Sequence, residues 1–322
     1  MSCGPIWTVS WPEVHAMANT PRNVAASARQ RLLNLSKSIG ADYNQLLIRY
    51  AIERFLYRLS VSAHRDAFIL KGAMLFAVWE GSPHRPTQDL DLLGFGDRSL
   101  DRLTSVFREV CAIAVENDGW TFDPATVEAK EIRTVAEYGG VRVRVTAKLG
   151  GAVVRMQTDI GFGDAVTPAA THASYPSLLG MPAPQLRTYP RETVVAEKLE
   201  AIVKLGMLNT RHKDYYDLRH LANHFDFGGD LLVRAIAATF ARRGTPLPAE
   251  IPIGLTAAFA EDPVKQAQWS AFGRRMGEKN VPPLPDVVGE VERFIAAPLL
   301  AAAFSEQMSS SWVPPGPWKA RQ

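Results

Sequence analysis

The sequence predicts an α+β chain in which a sheet-bearing N-terminal lobe is followed by a helical C-terminal lobe. Three observations carry this. Val141, Val143, Val145, Ala147 and Leu149 alternate with polar residues and, across Gly150-Gly151, meet a second run from Val153 to Ile160, which is the pattern of a β-hairpin. Asp89-Leu90-Asp91-Leu92 alternates polar and apolar residues as a half-buried strand does. From Glu192 onward, by contrast, the chain reads as successive helices.

Taken in order, Thr20-Pro21 marks a helix start leading into 23–37, with Thr20 as the cap. Asp42 caps a second helix whose Ile48, Ile52, Phe55, Leu56 and Leu59 form an apolar stripe. Phe68 to Lys71 is a short strand ended by Gly72, and 73–80 forms about two helical turns. The acidic strand-like stretch from Thr87 to Gly94, a helix from Leu100 to Glu116 and the hairpin complete a lobe spanning 20–165. Five prolines between Pro168 and Pro190 predict an irregular connection over 166–189. The helical lobe spans 190–305, with helices at Glu192 to Leu205, Asp214 to His224 and Leu231 to Arg242. Pro314-Pro315-Gly316-Pro317 predicts a disordered tail over 306–322.

Composition narrows the function classes. The chain has 322 residues, 47% hydrophobic and 21% charged, which supplies enough apolar material for a core in each lobe. Its formal charge of +3 is too small to mark a nucleic-acid binder by itself, so any basic patch must be local. Cys3 and Cys111 form no disulfide framework or thiolate zinc site, which fits a reducing compartment. No run approaches the roughly 20 apolar residues of a membrane span, and the first twenty residues are unlike a signal peptide, so a cytoplasmic location is expected.

The chemistry concentrates on carboxylates and lysines. Residues two apart on a strand lie about 6.6 Å apart on one face, so Asp89 and Asp91 can converge on a divalent cation while Leu90 and Leu92 pack behind. The alternative is an exposed acidic edge. Asp159, at the end of the hairpin's second strand, can join the pair if the strands are neighbours, and three such acids suit a two-metal phosphoryl-transfer site. Asp164 is a rival placed beyond the strand. Lys71-Gly72 sits where a strand turns into a helix, a place suited to an anion, yet no P-loop pattern is present. Lys198 shares an apolar stripe with Val194, Ala201 and Leu205 and so points inward, whereas Glu197, Glu200 and Lys204 lie on more polar faces. Asp214 and Asp217 share a helix face, and their structural reading is an N-cap and N3 pair. His220 and His224 lack the zinc-protease pattern and read as surface or packing residues.

Five blocks in order resemble the AbiEii/AbiGii family of nucleotidyltransferase toxins, within the polymerase-β-like superfamily: Phe68-Ile69-Leu70-Lys71-Gly72-Ala73, the stretch from Arg85 to Leu92, that from Gln157 to Asp164, that from Glu192 to Leu199, and Arg211 to Leu218. The resemblance implies a mixed sheet with flanking helices, a helical C-terminal lobe and a cleft between them. It implies catalytic roles for Asp89, Asp91, Lys198 and Asp214 or Asp217, with Asp159 as a further acid. Nucleotide contacts would come from Lys71, Gly72, Thr87, Lys198 and Lys213, and Asp89, Asp91 and Asp159 would hold Mg²⁺ or Mn²⁺. The implied activity moves a nucleotide from an NTP to an RNA, with the tRNA 3′ end favoured, and the implied partner is a cognate antitoxin in a system of phage defence. Two other readings stay open: a catalytically silent RNA- or protein-binding module, and a metal-dependent nuclease. One departure is Ala73, where many relatives carry a second glycine after the lysine. Arg142, Arg144 and Lys148, the 187–191 region and the 211–213 cluster are expected to provide a local basic surface for the acceptor.

Overall fold

A computed structural model describes residues 23–132, 139–277 and 280–320. Thr20 and Pro21 lie outside the described residues. Helix α1 (Val24–Ile39) begins where the Asn23 side chain accepts from the Ala26 amide at 2.9 Å. Helix α2 (Tyr43–Ser60) is capped by Asp42 as expected. It is buried on nearly every side, so its charged residues need partners. Glu53 accepts from the Leu178 amide and the Ser177 hydroxyl, while Arg54 and Arg58 share the buried Asp118 at 2.9 and 2.7 Å.

The N-terminal lobe is organised on one mixed sheet. Its strands are β1 (Phe68–Lys71), β2 (Asp89–Gly94), β3 (Trp120–Ile132), β4 (Gly140–Leu149), β5 (Ala152–Phe162), β6 (Thr171–Ser174) and β7 (Gln185–Thr188), in the order β3-β4-β5-β2-β1-β7-β6. Strand β2 is antiparallel to β1 and parallel to β5, which sets the acidic strand at the centre. Two helices, α3 (Met74–Glu80) and α4 (Leu100–Cys111), follow β1 and β2. The chain is therefore α+β, with the predicted hairpin realised as β4 and β5.

The C-terminal part contains α5 (Arg191–Leu205), α6 (His212–His224), β8 (Phe227–Gly228), α7 (Gly229–Arg243), α8 (Ala257–Ala260), α9 (Pro263–Met276), α10 (Leu284–Ala303), β9 (Ser310–Trp312) and β10 (Trp318–Ala320). One apolar core includes buried residues from α1 through β9. Among the described residues no helix is long and apolar enough to cross a membrane.

Several expectations are corrected. The helix after β2 ends at Cys111, not Glu116, and is followed by β3, which the sequence pattern did not show. Pro124 interrupts the alternation of β3, and its register with β4 shifts between Asp123 and Glu128. The 166–189 connection is not irregular throughout: its proline-free windows form β6 and β7, and β7 extends the sheet beside β1. The tail is not without structure either. Trp312 is buried and donates to the Ala222 carbonyl, Trp318 donates to the Phe294 carbonyl, and the prolines lie in the turn between β9 and β10.

Candidate active site

The acidic strand presents its functional groups by simple alternation. Leu90 and Leu92 are buried, while Asp89 and Asp91 share the opposite, half-buried face of β2. Asp91 lies opposite Lys71 on β1 and Asp159 on β5. Gly72 has φ +74°, and a Cβ there would come 2.7 Å from the Asp91 Cγ and closer still to its Oδ2. Glycine is thus required twice, by backbone conformation and by the space that Asp91 occupies. Ala73 has φ −67° and starts α3 without strain, so the departure from a double glycine is compatible with this turn.

The three acids of the sheet are not equivalent. The Asp89 carboxylate accepts from the Gln157 amide at 2.9 Å, whereas Arg142 grips Asp159 through two bonds of 2.8 and 2.7 Å. Burial first, and then the nearby Asp159 charge, raise the Asp89 carboxyl above its usual range. Burial likewise raises Asp91, against the pull of Lys213 and Lys71. Among the described residues no group of three His, Cys, Asp or Glu side chains is arranged to hold a metal ion. The donor set that remains, two desolvated aspartates on one face, fits Mg²⁺, which takes one or two carboxylates and completes its shell with water and phosphate.

Helices α5 and α6 face this strand with a second cluster. Lys198 points inward as expected, its Nζ donating to Asp214 at 2.9 Å and Asp217 at 2.7 Å. Arg211 also donates to Asp214, and Arg85 forks onto Asp217 at 2.7 and 3.0 Å. Both acids are fully buried, yet these cations outweigh the desolvation and hold each carboxyl below its usual range. The N-cap reading of Asp214 fails: α6 begins at His212 after Arg211, and both carboxylates serve cations instead of orphan amides.

A third cluster joins the lobes along the wall of the cleft. Lys71 contacts Asp164 at 2.8 Å and Glu197 at 3.1 Å, and Arg243 reaches Asp164, Glu197 and Glu200. Lys71 and Arg243 overcome burial to bring the Asp164 carboxyl down to about 2. Glu197 and Glu200, read as polar-face residues, therefore turn inward, and Asp164 serves Lys71 in place of a metal. Arg242 adds a bond to the Gly163 carbonyl.

Together the lobes enclose a cavity of about 430 Å³ whose wall includes Lys71, Gly72, Asp91, Asp159, Lys198, Lys213 and Asp214. Asp89, Thr87 and Asp217 lie outside that wall. Lys213 is exposed and, among the described residues, has no carboxylate within 4.0 Å; loss of hydration in the cleft and the Lys198 charge lower its pKa. The expected basic surface is only partly assembled. Arg211 and Lys213 line the cavity, while Arg187 donates to the Asp66 carbonyl beside the Phe95 ring and Arg191 covers Phe225. His220 stacks between His84 and His224 and bonds Glu80, a packing role as expected.

Arg85, Glu197 and Arg243 were not singled out by sequence reasoning. Arg85 precedes the acidic strand in Arg85-Pro86-Thr87, a local signal, and Glu197 adjoins Lys198. Arg243 has none, because its partners are 43 to 79 residues away.

Comparison with known proteins places these residues in a wider setting. Residues 54–294 match the family model described as nucleotidyl transferase AbiEii toxin, type IV toxin–antitoxin system. Comparison with curated proteins gives no match. Among solved structures the chain is similar to JHP933 from Helicobacter pylori, at 15% identity and a TM-score of 0.47, covering 82% of this chain and 95% of that one. It is also similar to a candidate nucleotidyltransferase from H. pylori, at 16% identity and a TM-score of 0.44, covering 81% of this chain and 96% of that one.

Proposed function

This chain belongs to the AbiEii nucleotidyl transferase toxin family of type IV toxin–antitoxin systems, and we propose that it transfers a nucleotide from an NTP to the 3′ hydroxyl of an RNA, with tRNA the favoured acceptor and pyrophosphate the leaving group. The observation that carries this reading is that the desolvated Asp91, with Asp89 beside it on β2, shares one cleft with Lys198, Arg211 and Lys213. Asp89 and Asp91 would hold Mg²⁺ or Mn²⁺, which when bound supplies charge stabilisation for the triphosphate and lowers the pKa of the attacking hydroxyl.

The remaining steps belong to the chain's own side chains. Lys213, without a carboxylate partner, is available to the triphosphate, and Lys198 offers its charge from a position fixed by Asp214 and Asp217. Asp214 and Asp217 are held ionised by their cations, so they are poor proton acceptors and act as anchors. As the groups that would hold the cation, Asp89 and Asp91 are committed as ligands, and the hydroxyl's proton passes to water in this scheme. Asp159 balances Arg142. Lys71, neutralised by Asp164 and Glu197, steadies the turn beneath Gly72 and leaves phosphate contact to the other lysines.

Incubation with labelled NTPs, Mg²⁺ and total RNA tests the reading. Label joined to RNA in the wild type and lost in Asp91→Asn supports it. Shortened RNA would favour a nuclease, and RNA binding without either change would favour a silent binding module. A type IV family also supports an antitoxin partner, to be sought by co-expression with a neighbouring gene product.

A further inference from the structure

A second cavity, of about 220 Å³, lies behind α3 and between α2 and the 83–87 segment. It adjoins the catalytic cleft: Ala73 and Arg85 belong to both walls. Its volume falls below the ~300 Å³ at which pockets for drug-sized ligands begin, so it suits one ring system and not a whole triphosphate. Leu46, Met74 and Ala77 supply apolar surface for the faces of such a ring. The polar groups are few and set deep. Arg49 is 8% exposed and hydrogen-bonds the buried Tyr175 hydroxyl, and both line the cavity.

His84 adds an independent observation. Its side chain is 8% exposed, it lines this cavity, and its Nε2 has no hydrogen-bond partner, the Asp217 carboxylate lying 3.9 Å away, beyond hydrogen-bond distance. The ring is fixed by stacking on Tyr216 and His220, at centroid distances of 4.5 and 3.6 Å. A buried ring nitrogen left without a partner carries a desolvation cost that a ligand edge would relieve. Burial and the neighbouring His220 push the His84 imidazole down to about 3, so it meets that edge as a neutral group.

We propose that this cavity receives the 3′-terminal base of the acceptor RNA, its faces against Met74 and Ala77 and its edge toward His84. Single-stranded ends are recognised in this way, by apolar contact with the base faces and hydrogen bonds to the edge. The position fits the chemistry. Thr87, in the cavity wall, donates to the Asp89 carbonyl at 3.2 Å, so a base held there lies beside the start of the acidic strand. The incoming nucleotide belongs elsewhere, because Lys198, Arg211 and Lys213, the cations its phosphates need, all line the larger cleft.

The inference rests on the RNA-directed reading above, and its test separates the two. An RNA carrying 4-thiouridine as its last base is irradiated with the full-length protein without NTP, and the crosslinked peptides are mapped. The expected sites lie in 39–49, 73–77 or at Tyr175, with at least a tenfold lower yield in Ala41→Trp, which fills the mouth from the α1–α2 corner. His84→Phe, which keeps the ring stack but removes the nitrogens, should weaken binding of the RNA severalfold and serves should Ala41→Trp not fold. Crosslinks confined to α5 and α6, no crosslink at all, or an NTP affinity that falls in parallel in Ala41→Trp would overturn it. Label transfer without crosslinks in this cavity would sink only this inference. Crosslinks here without any transfer would sink only the catalytic reading.

Discussion

Asp217→Asn separates anchoring from proton transfer. The Asp217 side chain is 1% exposed and accepts from Lys198 and twice from Arg85. Asparagine keeps the shape and one acceptor oxygen but removes the charge. Lys198 then still has Asp214, whereas Arg85, 11% exposed, loses its one carboxylate among the described residues. Breaking a buried pair costs about 3–5 kcal/mol, and because one of the two cations keeps a partner we expect the low end, about 3 kcal/mol. At about 2.1 cal/mol/K per residue the melting entropy of a chain this long is roughly 0.7 kcal/mol/K, so Tm should fall by about 4 °C. The pH dependence has a definite sign. The folded carboxyl is held below its usual range, so its contribution is complete above the unfolded pKa of about 3.9 and is lost as pH falls toward the lower folded value. The gap between wild type and variant in thermal scans should therefore be constant from pH 8 to pH 5 and shrink below about pH 4. Adding Arg85→Gln removes the orphaned cation and should recover part of the loss. An unchanged Tm at pH 7, a gap that does not narrow at all between pH 5 and pH 2, or a double variant as costly as the sum of the singles would refute the anchoring argument.

Three other outcomes follow from the site. Gly72→Ala forces a positive φ and drives a methyl group into the Asp91 carboxylate, so it should cost about 1–3 kcal/mol and abolish saturable Mg²⁺ binding, as read by thermal scans and Mg²⁺ titration. Asp89→Asn should leave the metal-free protein as stable or more stable at pH 7, because a carboxyl raised on folding penalises the fold above the unfolded pKa; the advantage should vanish as pH falls below about 4, while nucleotide transfer is lost at every pH. Lys213→Ala should change stability by less than about 0.5 kcal/mol yet raise the KM for NTP, whereas Lys198→Ala should lower both stability and transfer; equal Tm losses in the two would show that Lys213 is structurally paired.

The sequence made legible whatever depends on local period. Strand β2 was readable because Leu90 and Leu92 alternate with the acids, and the β4–β5 hairpin because its valines alternate up to Gly150-Gly151. Strand β3 was not, since Pro124 and the register shift after Asp123 erase the alternation over the residues that would have shown it. Strands β6 and β7 are four residues each, too short to outweigh the prolines around them. The tail was misread because proline content speaks only of the turn, while the anchoring contacts of Trp312 and Trp318 come from Ala222 and Phe294, far along the chain.

The same distinction governs the site. Which residues carry charge was legible: Asp89, Asp91, Lys198, Asp214 and Asp217 all sit in recognisable blocks. Which charge meets which was not, because an ion pair has no sequence period. Lys71 and Gly72 are adjacent, yet one meets Asp164 and Glu197 while the other makes room for Asp91. Arg85 and Arg142 each silence one acid, Asp217 and Asp159, and leave Asp89 and Asp91 as the pair whose carboxyls burial raises. The five candidate acids thus sort into two that, among the described residues, no cation grips within 4.0 Å and three that fix positive groups around them. That division follows from the arginines, which the acidic motifs alone do not contain.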